Sequence, residues 1–463
     1  MSGIEVDTIV SLSTAPGVSA IAVVRISGPH ADDVLRGILG PEETLPPVRT
    51  PAVRELVDAT TGEVLDRALV TRFSGPASFT GEDSVELSCH GGWIVPDLVL
   101  SACLRAGARQ AEPGEFTRRA YLRGKLDLVQ VEAIADVIEA KSRALHRAAI
   151  HQLDRNLSTR VSDLRERLVR LEALLAHHVD FPEEDEAPVA IEVVLDAANK
   201  LHDDVCALLE SAPEGALLRA GAVVVLAGPP NAGKSSLFNA LLGEDRAIVT
   251  PEAGTTRDAL EAEVQLGGYP FRLVDTAGLR EETGTIERLG IEVAQRYLAG
   301  ADVVVVCVPR GPGAPAELAE AIDALREHVG NAPFVLVETK ADVSDARTNA
   351  ELGSAEWVAE VGVSAIDGSG LEELRTTLRD IVYGRLHATP IDAPIVTRRR
   401  HAVGLEDAAG EIRAFIDAIG DGLPAEVAST HLRSAETALE ELLGVVSVDD
   451  VLDVVFRDFC IGK

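Results

Sequence analysis

The sequence is short of basic residues, of cysteines placed to pair, and of any long apolar run. Lysine and arginine total 43 against 75 aspartates and glutamates, a formal charge of −32 over 463 residues. A free nucleic-acid binder usually carries a basic footprint, because its affinity comes largely from neutralising phosphates. Here the only basic islands are short, at Arg118-Arg119, Arg123, Lys125 and Arg398-Arg399-Arg400. An RNA substrate would therefore need a basic partner protein to hold much of it; the plainer alternative is that acidity aids solubility. The five cysteines (Cys89, Cys103, Cys206, Cys307, Cys460) are odd in number, scattered and never in Cys-x-x-Cys. That excludes a disulfide framework and a zinc site and fits a reducing compartment. No run approaches the roughly 20 apolar residues that span a bilayer. The N-terminus lacks the basic-then-apolar pattern of a secretion signal. The expectation is a cytoplasmic protein with no membrane association, built from about two to four domains.

What is present is organised around Gly228-Pro229-Pro230-Asn231-Ala232-Gly233-Lys234-Ser235. The apolar run Ala222 to Ala227 before it reads as a buried strand, and Ser236 to Leu242 after it has helical periodicity. Strand, glycine-bounded loop ending in Lys-Ser, then helix is the context of a phosphate-binding loop. Glycines let the backbone wrap a polyphosphate with N–H groups pointing inward at a helix N-terminus. Lys234 would add a charge to the outer phosphates, and the Ser235 hydroxyl would hold Mg²⁺.

Three further stretches turn a nucleotide site into a guanine site. Asp275-Thr276-Ala277-Gly278 closes the run Phe271 to Val274, placing a carboxylate near the metal and a glycine beside the γ-phosphate. Gly254-Thr255-Thr256-Arg257-Asp258 lies between, where Thr256 offers Mg²⁺ a second hydroxyl. Thr339-Lys340-Ala341-Asp342 follows the strand Phe334 to Val337, and Asp342 can accept two hydrogen bonds from the guanine edge. Ser364-Ala365, after Val361 to Val363, would give a backbone N–H to the guanine carbonyl. Each stretch sits at a strand end, as expected of a Ras-like P-loop GTPase with a doubly wound, mostly parallel sheet.

Around this core the chain changes character. Residues 1–120 read as an α+β domain, with β-rich runs at Ile21–Ile26, Arg67–Phe73 and Ser84–Cys89 and a helix from Ile94 to Ala106. From Leu126 to His178 apolar residues recur at three- and four-residue steps, as in long bundle helices. Asp180 to Asp185 breaks the pattern, and Val189 to Leu218 resumes it as one more helix. After the nucleotide core, helical segments are expected near 401–419, 424–443 and 447–459. This divides the chain into an N-terminal domain (1–120), a helical domain in two parts (121–219 and 384–463), and a G domain (220–383) inserted between them.

Hydrolysis needs more than the cradle. Many GTPases place a water-orienting glutamine after Asp-Thr-Ala-Gly, but here Leu279 stands there. A nearby carboxylate could take its place, worth on the order of 10²–10⁴-fold; Glu281, Glu282 and Glu287 all lie close, and spacing alone does not choose among them. No arginine finger is evident in cis, although such a charge is typically worth roughly 10³–10⁵ in rate. Asn231 is a neutral oxygen donor suited to a monovalent cation, or simply a brace for its own loop.

Taken together these residues resemble one family, the bacterial and organellar tRNA-modification GTPases MnmE, also called TrmE. The likeness covers the whole chain: Asp7-Thr8-Ile9-Val10, Pro16-Gly17, Arg25-Ile26-Ser27-Gly28, Thr80-Gly81-Glu82-Asp83 and Cys89-His90-Gly91-Gly92. It continues through Pro113 to Ala120, Gly124 to Leu128 and Asp180 to Glu184, and ends on Phe459-Cys460-Ile461-Gly462-Lys463. A prenylation box is a poor reading of that ending, since glycine and terminal lysine both fit it badly. The resemblance implies a homodimer formed through the N-terminal domain, which binds a tetrahydrofolate derivative (5-formyl or 5,10-methylene) as one-carbon donor. Arg25, Glu86, Lys125 and Lys463 carry over as folate contacts. Asn231 would hold K⁺ with groups from Thr250, Glu252 and Thr255, and that ion would replace the arginine finger. Glu287 matches the family's catalytic glutamate, acting with Asn231 and Lys234; Ser236, Thr250 and Thr255 join the GTP contacts. With the flavoprotein MnmG, such a protein adds a carboxymethylaminomethyl (or aminomethyl) group to position 5 of the wobble uridine in certain tRNAs. Two positions depart from the family: Thr339 replaces the usual asparagine, and Glu252 an apolar residue. A ribosome-assembly GTPase shares the G domain but leaves the N-terminal domain and the Cys-Ile-Gly-Lys ending unexplained. A folate-binding scaffold with a vestigial GTPase conflicts with the intact Lys234, Ser235, Thr256 and Asp275.

Overall fold

The computed structural model describes residues 7–180, 190–244, 261–276, 295–311, 322–323, 325–343, 356–390, 393–445, 455–456 and 462. The chain packs into two compact units, residues 1–135 with 440–463, and residues 136–439.

In the first unit six strands form one sheet: β1 (Ile9–Leu12), β2 (Ile21–Ser27), β3 (Ala52–Val57), β4 (Val64–Phe73), β5 (Ser84–His90) and β6 (Arg109–Gln110). Their spatial order is β3-β4-β5-β2-β1-β6, antiparallel except for the β1–β6 pair. Alternation along β2 buries Ala22, Val24 and Ile26. The helices Ala31–Ile38 and Val95–Arg105 add Val34, Leu35, Ile38, Val99 and Cys103 to the same core. The C-terminal stretch returns to this unit. Gly462 O accepts from Ser13 Oγ at 3.0 Å, and Gly444 O accepts from Tyr121 Oη at 2.5 Å.

Much of the expected surface charge is used internally here. Arg119 is 4% exposed and pairs with Asp7, Glu82 and Glu115, while Arg123 reaches Glu82 at 2.6 Å. The Arg109 guanidinium hydrogen-bonds Asp7 and, with Arg119, holds that carboxyl below its ordinary value. Two residues of the basic islands thus neutralise buried acids, and a buried charge survives only when paired in this way.

In the second unit β7 (Ala222–Ala227), β8 (Glu261–Leu266), β9 (Tyr269–Asp275), β10 (Val303–Pro309), β11 (Phe334–Thr339) and β12 (Ala359–Val363) build the other sheet. Its order is β12-β11-β10-β7-β9-β8, parallel throughout except for the β8–β9 hairpin. The central strands are near-continuous valine runs because both faces are covered; Val303 to Val308 are all buried. This is the doubly wound, mostly parallel sheet that the motifs call for. Helix Leu371–Ala388 packs on it through Leu374, Leu378 and Tyr383, whose hydroxyl donates to the carbonyls of Leu217 and Pro270.

The helical segments are more broken than the periodicity suggests. Leu126 to His178 resolves into Leu128–Glu139, Arg143–Leu153 and Asn156–Asp180. Ser142 caps the second of these by accepting from Leu145 N, and Arg155 turns into the left-handed region (φ 68°) before the third. The single helix expected over Val189 to Leu218 is two, Ile191–Leu209 and Ala212–Ala220. Pro213 explains the break: it has no N–H and disfavours helical backbone before it, so it suits the first turn of a new helix. Beyond the sheet, Arg399–Gly420 and Ala425–Leu443 are helical as expected, while the segment near 447–459 lies outside the described residues except Val455 and Phe456, which are helical. Asp136, 1% exposed, binds Arg219 at 3.1 Å and Arg398 at 2.6 Å. Arg398 therefore also serves the interior.

Candidate functional site

The candidate residues gather at the carboxyl ends of the parallel strands. After β7 the chain turns through Gly228 (φ 140°), where a β-carbon would stand 2.3 Å from the Cys307 carbonyl of β10. Only glycine lets the loop pass this close, so the Asn231–Lys234 stretch rests directly on the neighbouring strand. Asn231 itself is left-handed (φ 60°) and exposed, and leads the chain into the helix Lys234–Glu244, whose first N–H groups lack partners within the helix's own i→i−4 ladder. Lys234 is 6% exposed, and its ammonium donates to the carbonyls of Gly228 (3.0 Å) and Pro229 (2.8 Å). A buried cation held across a glycine-bounded loop at a helix N-terminus fits a polyphosphate.

Beside it, the Ser235 hydroxyl donates to Asp275 Oδ2 at 2.7 Å, joining the end of β9 to the first turn of the helix. Hydroxyl and carboxylate are hard oxygen donors, the set that suits Mg²⁺. Thr276 anchors the strand end by donating from its backbone and its hydroxyl to Leu226 O. Cys307 lies buried behind the loop, and burial pushes its thiol up to about 12, so it is chemically quiet.

The base-side stretch is tied to the same loop. Thr339 Oγ1 donates to Ala232 O at 2.6 Å. Lys340, left-handed at φ 59°, donates from Nζ to Asn231 O at 3.1 Å. Ala341 N–H donates to Val363 O at 3.2 Å, which brings Thr339–Asp342 beside Ser364–Ala365; Asp342 is exposed there. The Ser364 hydroxyl accepts from Ile366 and Asp367, and its own amide donates to Ser369 O at 2.9 Å. Sequence reading passed over Arg310 and Glu338, which pair just beneath these loops at 3.2 Å. The available signal was a lone arginine ending the valine run of β10.

In the first unit Arg25 and Glu86 face each other across β2 and β5, with Arg25 Nη2 2.9 Å from Glu86 Oε1. The guanidinium also lies 5.5 Å from the Phe79 ring and 5.8 Å from the Phe116 ring. Lys125 donates to Pro76 O at 3.0 Å, so it closes on the same loop that carries Phe79. A cation flanked by rings and a carboxylate suits a flat heterocycle bearing acid groups. Thr250, Glu252, Thr255, Thr256, Ala277, Gly278, Glu287, Cys460 and Lys463 lie outside the described residues.

Comparison with known proteins accounts for both units. The sequence model of the MnmE helical domain matches residues 128–460. That of the GTP-binding protein TrmE N-terminus matches residues 8–125. The chain belongs to the MnmE (TrmE) family. Curated MnmE relatives align along its full length: "tRNA modification GTPase MnmE" of Moorella thermoacetica is 40% identical over 465 residues, covering 99% of both chains. The relative of the same name from Parvibaculum lavamentivorans is 40% identical over 462 residues, covering 99% of this chain and 100% of its own. Among solved structures, the G domain of the T. maritima FeoB iron transporter is 27% identical (TM-score 0.24), covering 35% of this chain and 98% of that one. Within this MnmE-family chain, the match to the helical domain spans all of β7 to β12. Among the described residues, no helix is long and apolar enough to cross a membrane.

Proposed function

We propose that this chain is a potassium-activated, Mg²⁺-dependent GTPase that works with the flavoprotein MnmG on the wobble uridine of certain tRNAs, adding a carboxymethylaminomethyl or aminomethyl group at position 5. The observation that carries the nucleotide half is the Ser235–Asp275 contact beside the buried Lys234. The family membership carries the tRNA half. The domain plan that goes with it is 1–120, 121–219 with 384–463, and an inserted 220–383.

In this reading Lys234 leaves its loop carbonyls for the β- and γ-phosphates, which the Asn231–Ser236 backbone amides surround. Ser235 and Thr256 hold Mg²⁺, with Asp275 behind Ser235. Asn231, Thr250, Glu252 and Thr255 hold K⁺. Bound there, the two ions neutralise charge that develops on the transferring phosphoryl group, worth roughly 10³–10⁵ in rate when an arginine finger does it. Glu287 orients the attacking water, since Leu279 cannot. Asp342 accepts from the guanine edge, and Ala365 presents its amide to the guanine carbonyl, Ser364 being committed to its own turn. Thr276, Ala277 and Gly278 flank the γ-phosphate, and Lys340 packs beside the base.

The N-terminal domain forms the homodimer and holds a tetrahydrofolate derivative through Arg25, Glu86, Lys125 and Lys463. When bound, that cofactor supplies the one-carbon unit; the protein's share is to orient it against Arg25, which the Phe79 ring and Glu86 hold in place. Hydrolysis then opens and closes paired G domains, gating the modification site. The test is mass spectrometry of wobble nucleosides from a strain lacking the chain. Wild type should restore the modified uridine and the Glu287→Ala variant should not; full modification in the deletion strain would end the proposal. Exchange of Na⁺ for K⁺ at equal ionic strength should raise GTP turnover, and a flat response would discard the cation assignment.

A further inference from the structure

Three strand ends meet beneath the base-side loops, and one side chain touches all of them. Arg310 follows β10. Its backbone N–H donates to Thr339 O at 2.8 Å, at the end of β11. Its Nε donates to Glu338 Oε2 at 3.2 Å, with only 16% and 10% of the two side chains exposed. Its Nη2 lies over β12, where a β-carbon on Gly362 would come within 2.5 Å of it. Glu338 immediately precedes Thr339–Asp342, and Gly362 stands two residues before Ser364–Ala365. The β11–β12 ladder already pairs Glu338 with Gly362, and one planar guanidinium lies against both partners just before the two loops assigned to the base.

We infer that Arg310 is a positioning residue for purine discrimination, acting through Glu338 and Gly362 on the placement of Asp342 against Ala365. This rests on the guanine-nucleotide reading above. The physical reason is the shape of the fork. A guanidinium can bond a carboxylate from one edge while its other amino group lies flat on a glycine backbone; an ammonium offers a single point of charge and leaves the glycine side unsupported. Gly362 matters because a β-carbon there would push the end of the fork aside. The phosphate side is tied to Thr339 and Lys340 by separate hydrogen bonds, so it should feel the change less.

The experiment is a fluorescence titration of the full chain with GDP and with IDP, which lacks the exocyclic amine that Asp342 would accept from. Wild type should prefer GDP. Arg310→Ala should reduce the GDP-to-IDP affinity ratio by about tenfold, the size of one coupled contact; IDP, which keeps the ring N–H and the carbonyl but not the amine, should lose less than GDP. Gly362→Ala should do the same by displacing the fork, and the two together should cost no more than either alone. Arg310→Lys keeps a charge beside Glu338 for folding and should still lose most of the ratio. An unchanged ratio in both Arg310→Lys and Gly362→Ala, or strict additivity of the two alanine variants, would overturn the inference. If wild type itself shows no preference for GDP over IDP, the guanine reading and this inference fall together.

Discussion

The hydroxyl of Thr339 donates to the backbone carbonyl of Ala232 at 2.6 Å. A side chain at the end of β11 thereby holds the phosphate loop after β7, although the strand β10 lies between them. The family resemblance leads to an expected asparagine at this position, and the structure gives the threonine hydroxyl a bracing task of its own. Thr339→Val keeps the shape and removes the donor. It should weaken GDP binding by about 1 kcal/mol, roughly fivefold, as measured by fluorescence titration. Equal affinity in the two proteins would mean that the loop is held by other contacts.

Asp342 is exposed at the rim of the sheet, just beyond the left-handed Lys340. If it accepts from the guanine edge, Asp342→Asn swaps an acceptor for a donor and should reject GDP while taking xanthosine diphosphate. The swing expected is at least about 10²-fold, since a site built to hydrogen-bond one base edge discriminates strongly against the analogue that leaves its groups unpaired. Binding of both nucleotides unchanged from wild type would remove Asp342 from base recognition.

The phosphate loop was legible in sequence because every part of it is local: strand, glycines, Lys-Ser and helix follow within about 20 residues of each other. The strand-end stretches at Asp275, Thr339 and Ser364 were legible for the same reason, each being announced by an apolar run. What escaped depends on partners distant in the chain. Arg119 looks like part of a basic patch until Asp7 and Glu82 are brought to it, 112 and 37 residues away. Arg310 looks like a solvated strand-end charge until Glu338 and Gly362 arrive on neighbouring strands. Periodicity also cannot see a break that keeps phase, so Val189 to Leu218 read as one helix when Pro213 begins a second.

Asp136 gives the same lesson in energetic form. It is buried between Arg219, three residues before β7, and Arg398, at the start of the Arg399–Gly420 helix. One carboxylate therefore fastens the chain where it enters the nucleotide-binding sheet and where it comes back. Asp136→Ala removes the buried acceptor shared by Arg398 and the half-exposed Arg219, which keeps Glu139 at 3.8 Å, and should cost about 1.5–3 kcal/mol, the worth of hydrogen bonds to a charged group. A chemical-denaturation series should show that loss with little change at the nucleotide site. A loss below about 1 kcal/mol, the usual worth of an exposed pair, would contradict the burial.

Glu172 offers a pH-dependent test. Among the described residues its Oε1 is buried with no hydrogen-bond partner. Burial pushes its carboxyl above the ordinary value of 4.5, and the nearby Glu436 adds to the rise. The folded state thus holds this proton more tightly than the unfolded chain does. Stability should fall as pH rises from about 4.5 through the raised value, because the folded protein must then bury the charge. Glu172→Gln should flatten that part of the melting-temperature profile and stabilise the protein at neutral pH. An unchanged profile would mean that Glu172 stays hydrated.

The most direct test of the whole account is the rate of GTP hydrolysis by the full chain with Mg²⁺ and K⁺, measured beside Lys234→Ala. Removing the cation that bridges the loop should slow turnover by roughly 10²-fold or more, as loss of a preorganised charge at a reacting centre does. A wild-type chain that releases no phosphate from GTP, or a Lys234→Ala variant that matches it, would contradict the reading of Gly228 to Ser235 as a catalytic phosphate cradle.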